Sequence, residues 1–128
     1  MKEAVDAIRN AQSIVITSHI KPDGDAIGSS LALLRALKAM GKKCQAISPS
    51  HVPYGFLFML EYEDEIKRYE QARDDRILEK ADLFIVLDCS DISRSGEVGE
   101  KMMELGTSML VIDHHSTNES FGAYNYVI

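Results

Sequence analysis

An α/β domain, three layers deep around a mainly parallel sheet, is what this sequence predicts, and three observations carry the prediction. Residues 13–18, 43–48, 82–87 and 108–112 are short runs rich in Ile, Val, Leu and Phe, which read as buried strands. Helical patterns separate them, and strands alternating with helices imply parallel pairing with right-handed crossovers. Three of the runs lead directly into acidic or imidazole side chains: His19-Ile-Lys-Pro-Asp23-Gly-Asp25, the lone Asp88, and Asp113-His114-His115. Such residues at strand ends converge on one edge of a parallel sheet, where open α/β folds bind their ligands. The class is therefore Rossmann-like.

The elements follow in order. Residues 3–10 form a short helix with Ala4, Val5 and Ile8 on one side. After the first strand, Pro22 and Gly24 bend the backbone so that neighbouring side chains turn toward one point. A helix opens near Asp25, itself a plausible N-cap, and carries Ile27, Leu31, Leu34 and Leu37 on one face. Gly41, with Lys42 and Lys43, is a stop signal. The strand at 43–48 completes a βαβ unit; Pro49 and Pro53 then break the chain, and residues 54–60 are apolar enough to pack on the core. Residues 61–76 mix both charge signs densely and read as a solvated face. The strand at 82–87, a helix around 99–105 and the strand at 108–112 make a second βαβ unit.

At 128 residues the chain fits one domain and buries a real core, with the apolar and charged fractions of an ordinary soluble protein. A net charge of −6 argues against tracking double-stranded nucleic acid by a basic surface. Small anionic substrates stay open, because metals bound among carboxylates reverse the local sign. Residues 1–10 are too short and polar for a signal peptide, and no apolar stretch is long enough for a bilayer. Cys44 and Cys89 have neither zinc nor redox spacing and read as reduced thiols of a cytoplasmic protein, Cys89 packed rather than reactive. Asn118-Glu-Ser120 matches a glycosylation pattern, but without a secretory signal it is read as coincidence. No glycine-rich dinucleotide fingerprint follows the first strand; Pro-Asp-Gly-Asp stands there instead.

Bare carboxylates brought together resist ionisation unless something positive sits among them, and a divalent metal is the simplest candidate. A helix cap explains one aspartate of the first segment but not His19, Asp23 and Asp25 together. Mixed carboxylate and imidazole donors suit Mn²⁺, Fe²⁺ or Co²⁺. There are too many donors for one ion; two ions sharing Asp88 use them economically, and paired ions suit phosphoryl chemistry. Gly28, Ser29 and Ser30 keep the first turn of the helix slim, leaving room for substrate or metal.

These segments resemble the motifs of the DHH phosphoesterase family, named for the triplet present here as Asp113-His114-His115. His19-Ile-Lys-Pro-Asp-Gly-Asp-Ala-Ile-Gly-Ser29 matches its first motif, and Leu87-Asp-Cys-Ser-Asp-Ile-Ser-Arg94 its second. Within the family the chain is most similar to small oligoribonucleases that also dephosphorylate 3′-phosphoadenosine 5′-phosphate. The resemblance implies a phosphoesterase acting on short single-stranded RNA or a small nucleotide phosphate through a hydroxide activated by two ions, Mn²⁺ ahead of Mg²⁺ or Co²⁺. His19, Asp23 and Asp88 would hold the first ion, and Asp25, Asp88 and His114 the second. Asp113 would support the histidine pair, and His115 would face the substrate phosphate as the catalytic residue beside it. Arg94 would meet another phosphate oxygen or form a surface salt bridge, and Ser29 would line the substrate site. A homodimer is a further implication. Family members continue past the third motif to another metal-binding aspartate and a carboxy-terminal substrate-binding domain, so residues 1–128 are expected to be an amino-terminal part. Cyclic-dinucleotide phosphodiesterase, manganese pyrophosphatase and a non-catalytic metal- or partner-binding fragment remain alternatives.

Overall fold

The computed structural model describes residues 1–128. Six strands, β1 (Ser13–Thr17), β2 (Lys43–Ser48), β3 (Ile66–Arg68), β4 (Leu83–Leu87), β5 (Met109–Asp113) and β6 (Tyr124–Val127), form one sheet in the order β3-β2-β1-β4-β5-β6. All pairs are parallel. Four helices complete the fold: α1 (Lys2–Asn10), α2 (Gly24–Ala39), α3 (Gln71–Lys80) and α4 (Gly96–Leu105).

Every residue of β4 is buried, as a parallel strand covered on both faces must be, so it reads as a continuous apolar run. The period of two divides its side chains between layers. Leu83, Ile85 and Leu87 join Ile14, Ile16 and the α2 stripe Ile27, Leu31, Leu34 and Leu37. Phe84 and Val86 join Val15, Val111 and the α3 and α4 residues Leu78, Val98 and Met102. Thus the helix after β1 covers one face, and the helix after β4 covers the other. The strand order reverses between β1 and β4, and the diverging helices leave a crevice at the carboxyl ends of these two strands.

Helix α2 is capped by Asp23, not by the Asp25 of the sequence expectation. Asp23 is extended, and its Oδ1 accepts from the Ala26 backbone N–H at 3.0 Å. Asp25 lies inside the first turn, which leaves its carboxylate free to face outward. At the other end Gly41 takes the expected left-handed conformation, φ 79°.

The expectation of a solvated face over residues 61–76 holds for most of the segment but not for Glu65 and Asp74. The segment contains β3 and the start of α3, and its Glu65 and Asp74 side chains are 2% and 0% exposed. Each is neutralised locally. Glu65 takes two bonds from the Arg35 guanidinium at 2.7 and 3.0 Å; Asp74 takes two from Arg73 at 2.9 Å and one from the Glu70 backbone N–H. Buried charges that carry their own partners look like solvated ones in a charge count.

Residues 54–59 form a 3₁₀ turn that meets its expectation in half. Phe56 and Met59, three apart and so on one side, pack on the core, while Tyr54 and Phe58 stay exposed. Helix α4 begins at Gly96, three residues ahead of the predicted start. Gly99 is interior to it, where a Cβ would stand 2.8 Å from the Ile92 carbonyl oxygen. Edge strand β6, whose exposure alternates residue by residue, was not expected. Both cysteines are free and buried, and no helix is long and apolar enough to cross a membrane.

Candidate metal centre

Parallel register sets the ends of the central strands side by side: Thr17 pairs with Val86, and Leu87 with Ile112. The chain leaves β4 through Asp88, whose φ of 53° is left-handed, a conformation that a short polar side chain tolerates. Its backbone N–H is still held by the Ile112 carbonyl at 3.0 Å. This turn aims the Asp88 carboxylate into the crevice between the β1 and β5 loops.

Two groups of donors meet there and share that carboxylate. On one side, His19 Nε2 lies 3.8 Å from Asp23 Oδ1 and 3.7 Å from Asp88 Oδ2. On the other, His114 Nε2 lies 3.0 Å from Asp88 Oδ1 and 3.3 Å from Asp25 Oδ2. His19 Nδ1 faces the Ile20 carbonyl at 2.7 Å, so the ring donates there and leaves Nε2 as the ligand atom. All five residues predicted to ligate metal are therefore brought together, with Asp88 in the middle.

Burial, reinforced by the Asp25 and Asp23 charges, pushes the Asp88 carboxyl above the usual carboxylate range against an opposing bond from His114. The Ala26 N–H holds Asp23 below its ordinary value. Burial also acts to raise Asp113, but bonds from Asn118 and His115 win and hold it low. His115 is raised, chiefly by its bond to Asp113. Both Asp113 oxygens are hydrogen-bonded: Oδ1 accepts from His115 Nδ1 at 2.6 Å, and Oδ2 accepts from Asn118 Nδ2 at 2.7 Å. It orients His115, whose Nε2 is left to face outward.

Ser29 sits one turn into α2, its hydroxyl donating to the Asp25 carbonyl at 2.7 Å. With Asp25, Asp88, Asp113 and His114 it lines an open cleft of about 230 Å³. Arg94 lies exposed on the 3₁₀ turn Ile92–Ser95, and its guanidinium makes no ion pair, so the salt-bridge alternative is not realised. Its carbonyl takes the Ile20 N–H at 2.6 Å, tying this turn to the His19 loop, and its charge acts against that of His115. The sequence reading missed Asn118, which it treated only as a glycosylation pattern. Its signal was a polar amide five residues beyond Asp113, in a turn with nothing apolar to bury.

Motif spacing and geometry agree with a match over residues 13–128 to the amino-terminal domain of the DHH family. The chain belongs to the DHH family. Two curated members are 37% and 30% identical to it: the bifunctional oligoribonuclease and PAP phosphatase NrnA of Thermus thermophilus, covering 89% of this chain and 31% of its own length, and that of Mycoplasma genitalium, covering 98% and 37%. This DHH chain thus spans about a third of the length of those relatives. An exopolyphosphatase-related protein from Bacteroides fragilis superposes with a TM-score of 0.90 at 30% identity, covering 98% of this chain and 37% of that one. The all-parallel α/β sheet is thereby that of the family.

Proposed function

We propose that this chain is the metal-binding and phosphate-facing part of a phosphoesterase that hydrolyses short oligoribonucleotides, 3′-phosphoadenosine 5′-phosphate, or both, with two divalent ions, Mn²⁺ first among them. One observation carries the reading: Asp88 stands between two donor groups, 3.7 Å from His19 and 3.0 Å from His114. The first set fits an ion: His19, Asp23 and Asp88 present ligand atoms within 4.8 Å of one another, and octahedral coordination with bonds of about 2.1 Å separates adjacent ligands by about 3 Å. On the other side His114 lies 3.0 Å from Asp88 and 3.3 Å from Asp25. His19, Asp23 and Asp88 would hold one ion; Asp25, Asp88 and His114 the other.

Bound there, two divalent ions would supply Lewis acidity to the phosphoryl oxygens and a water acidic enough to ionise near neutral pH. The protein's own groups do the rest by position. His115, held through Nδ1 by Asp113, would meet a phosphoryl oxygen with a proton its raised affinity helps retain. Arg94 offers a free guanidinium at the rim for a second phosphate oxygen. Ser29 and the amino-terminal turn of α2 line the opposite side, where helix N–H groups favour an anion. The NrnA names of the two curated relatives support these substrates over cyclic dinucleotides and pyrophosphate. Free, buried Cys44 and Cys89 accord with a reducing, cytoplasmic setting.

The test is to load the purified chain with Mn²⁺, remove excess, count bound ions, and incubate with a short oligoribonucleotide and with 3′-phosphoadenosine 5′-phosphate. Two ions per chain with mononucleotide or AMP released is the expected result. Two ions without product would make the chain a metal-binding module, and no bound metal would overturn the reading entirely.

A further inference from the structure

We propose that Asn118 is a positioning residue whose single side-chain amide locks the two halves of the centre, the Asp88 carboxylate and the Asp113–His115 pair, into one geometry. Its half-buried Nδ2 donates to Asp113 Oδ2 at 2.7 Å and to the Cys89 carbonyl at 3.1 Å. Its Oδ1 accepts from the Ser120 N–H at 2.7 Å, and its own backbone N–H donates to the His115 carbonyl at 3.1 Å. Its side-chain amide and its backbone N–H are thus all engaged, and the turn over residues 115–120 is built around them. The Glu119 N–H adds a bond to the Ser90 carbonyl at 3.0 Å, clamping this turn against the loop after β4.

Each of the two Nδ2 bonds controls something different. The Cys89 carbonyl belongs to the residue that follows Asp88, where the backbone is left-handed. Outside glycine that conformation persists only where surroundings hold it. Rotation there would carry the Asp88 carboxylate away from His19 and His114 together. The Asp113 bond acts on the other half. That side chain is 0% exposed, so losing the Asn118 donor leaves a buried carboxylate oxygen without its side-chain partner. The carboxylate then turns to find one, and His115 Nδ1, bonded to its other oxygen, turns with it. One amide therefore sets a carboxylate on β4 and an imidazole beyond β5, residues whose own strands do not fix their side chains.

The turnover consequence rests on the function proposed above, so the test uses readouts that do not need turnover. The 128-residue chain is compared with Asn118→Ala and, as a near-isosteric variant without the donor, Asn118→Asp. Leu34→Ala, fully buried in the α2 stripe and outside all three motifs, controls for general loss of stability. Mn²⁺ affinity is measured by calorimetry, and the His115 ring by ¹⁵N-edited NMR on metal-free protein. Expected for either Asn118 variant is a ~10–100-fold loss of Mn²⁺ affinity, the size typical when a group orienting a ligand is removed. The low-field Nδ1–H resonance of His115 should shift or vanish as well, while Leu34→Ala moves neither. Wild-type affinity and an unmoved His115 resonance in the Asn118 variants, or equal changes in Leu34→Ala, would overturn the assignment. Failure of the wild-type chain to bind Mn²⁺ would strike the function reading, and the His115 resonance would still decide the role of Asn118.

Discussion

Replacing Asp88 by Asn should make the metal-free protein more stable and the metal-loaded protein less so. Asn keeps the shape of the side chain and tolerates the left-handed φ of 53°, so the backbone has no reason to move. Asp88 is held above its ordinary pKa by burial and by the Asp25 and Asp23 charges. A carboxyl raised on folding contributes stability below its unfolded pKa and loses it as pH rises through the folded value. At neutral pH its ionised form is a cost that Asn lacks, so the metal-free Tm rises. With metal the order inverts. At Mn²⁺ one hundredfold above Kd, one site adds about 2.7 kcal/mol. For 128 residues, at ~2.1 cal/mol/K of unfolding entropy per residue, that is a Tm gain of about 10 °C. Two sites give about 20 °C. Asp88 is shared, so Asp88→Asn weakens both; a hundredfold loss in each leaves about 0.4 kcal/mol per site and a total gain of about 3 °C. Asp23→Asn is the matched control, because Asn caps a helix as well as Asp does and only one site loses a ligand. Its gain should be about 12 °C. The assay is thermal unfolding by calorimetry with and without Mn²⁺. A wild-type-sized gain in Asp88→Asn, or equal loss in the two variants, would refute the shared-carboxylate geometry.

Three other outcomes follow from particular contacts. His115→Ala should keep the Mn²⁺-induced Tm gain while hydrolysis of a short oligoribonucleotide falls about 100-fold or more; loss of metal in step with turnover would make His115 a ligand instead. Arg35→Ala strips two bonds from the buried Glu65 carboxylate and one from the Met59 carbonyl. Because Arg35 is 40% exposed and water can partly replace it, the expected result is a loss of stability smaller than that from breaking a fully buried pair, read from urea unfolding; no change would mean that solvent already reaches Glu65. Finally, the metal-free chain should lose stability on acidification. Glu65 is held low by Arg35; Asp74 and Asp113 are pushed up by burial but held low by their hydrogen bonds. Groups lowered on folding contribute above their unfolded pKa values and lose that contribution as pH falls through the folded ones, so Tm should drop below about pH 4 and Arg35→Ala should drop less steeply. A Tm that rose over this range would contradict the arrangement.

The sheet core and the strand-end placement of the acidic and imidazole side chains were legible in the chain because both depend on short-range pattern; the choice of five as metal ligands came from the resemblance to the DHH family. An apolar run such as residues 83–87 can be satisfied only by cover on two faces, and a charged side chain directly after it must lie at that strand's end. The same logic recognised the α2 stripe, since Ile27, Leu31, Leu34 and Leu37 need no distant partner to declare one face. Within residues 61–76, Glu65 and Asp74 were misjudged for the opposite reason. Glu65 is buried only because Arg35, thirty residues earlier, arrives to meet it, and no local window contains that fact. Edge strand β6 was missed because its residues alternate in exposure without a strong apolar run; its pairing with β5 defines it.

Sequence alone determined the four central strands, the α2 stripe and which strand ends carry acidic and imidazole groups, because periodicity and strand-end position are properties of neighbouring residues. Tertiary structure decided what those side chains do. It made Asp23 the helix cap and left Asp25 free, put Asp88 between His19 and His114, and engaged both Asp113 oxygens in bonds from His115 and Asn118. It also turned Asn118 inward to hold both halves of the site. The longest-range of these roles depend on distances of a few ångströms between residues as far apart in sequence as His19 and Asp88 or Asp88 and His114, set by strand register and a reversed strand order. Such distances belong to the packed fold and to no segment of it.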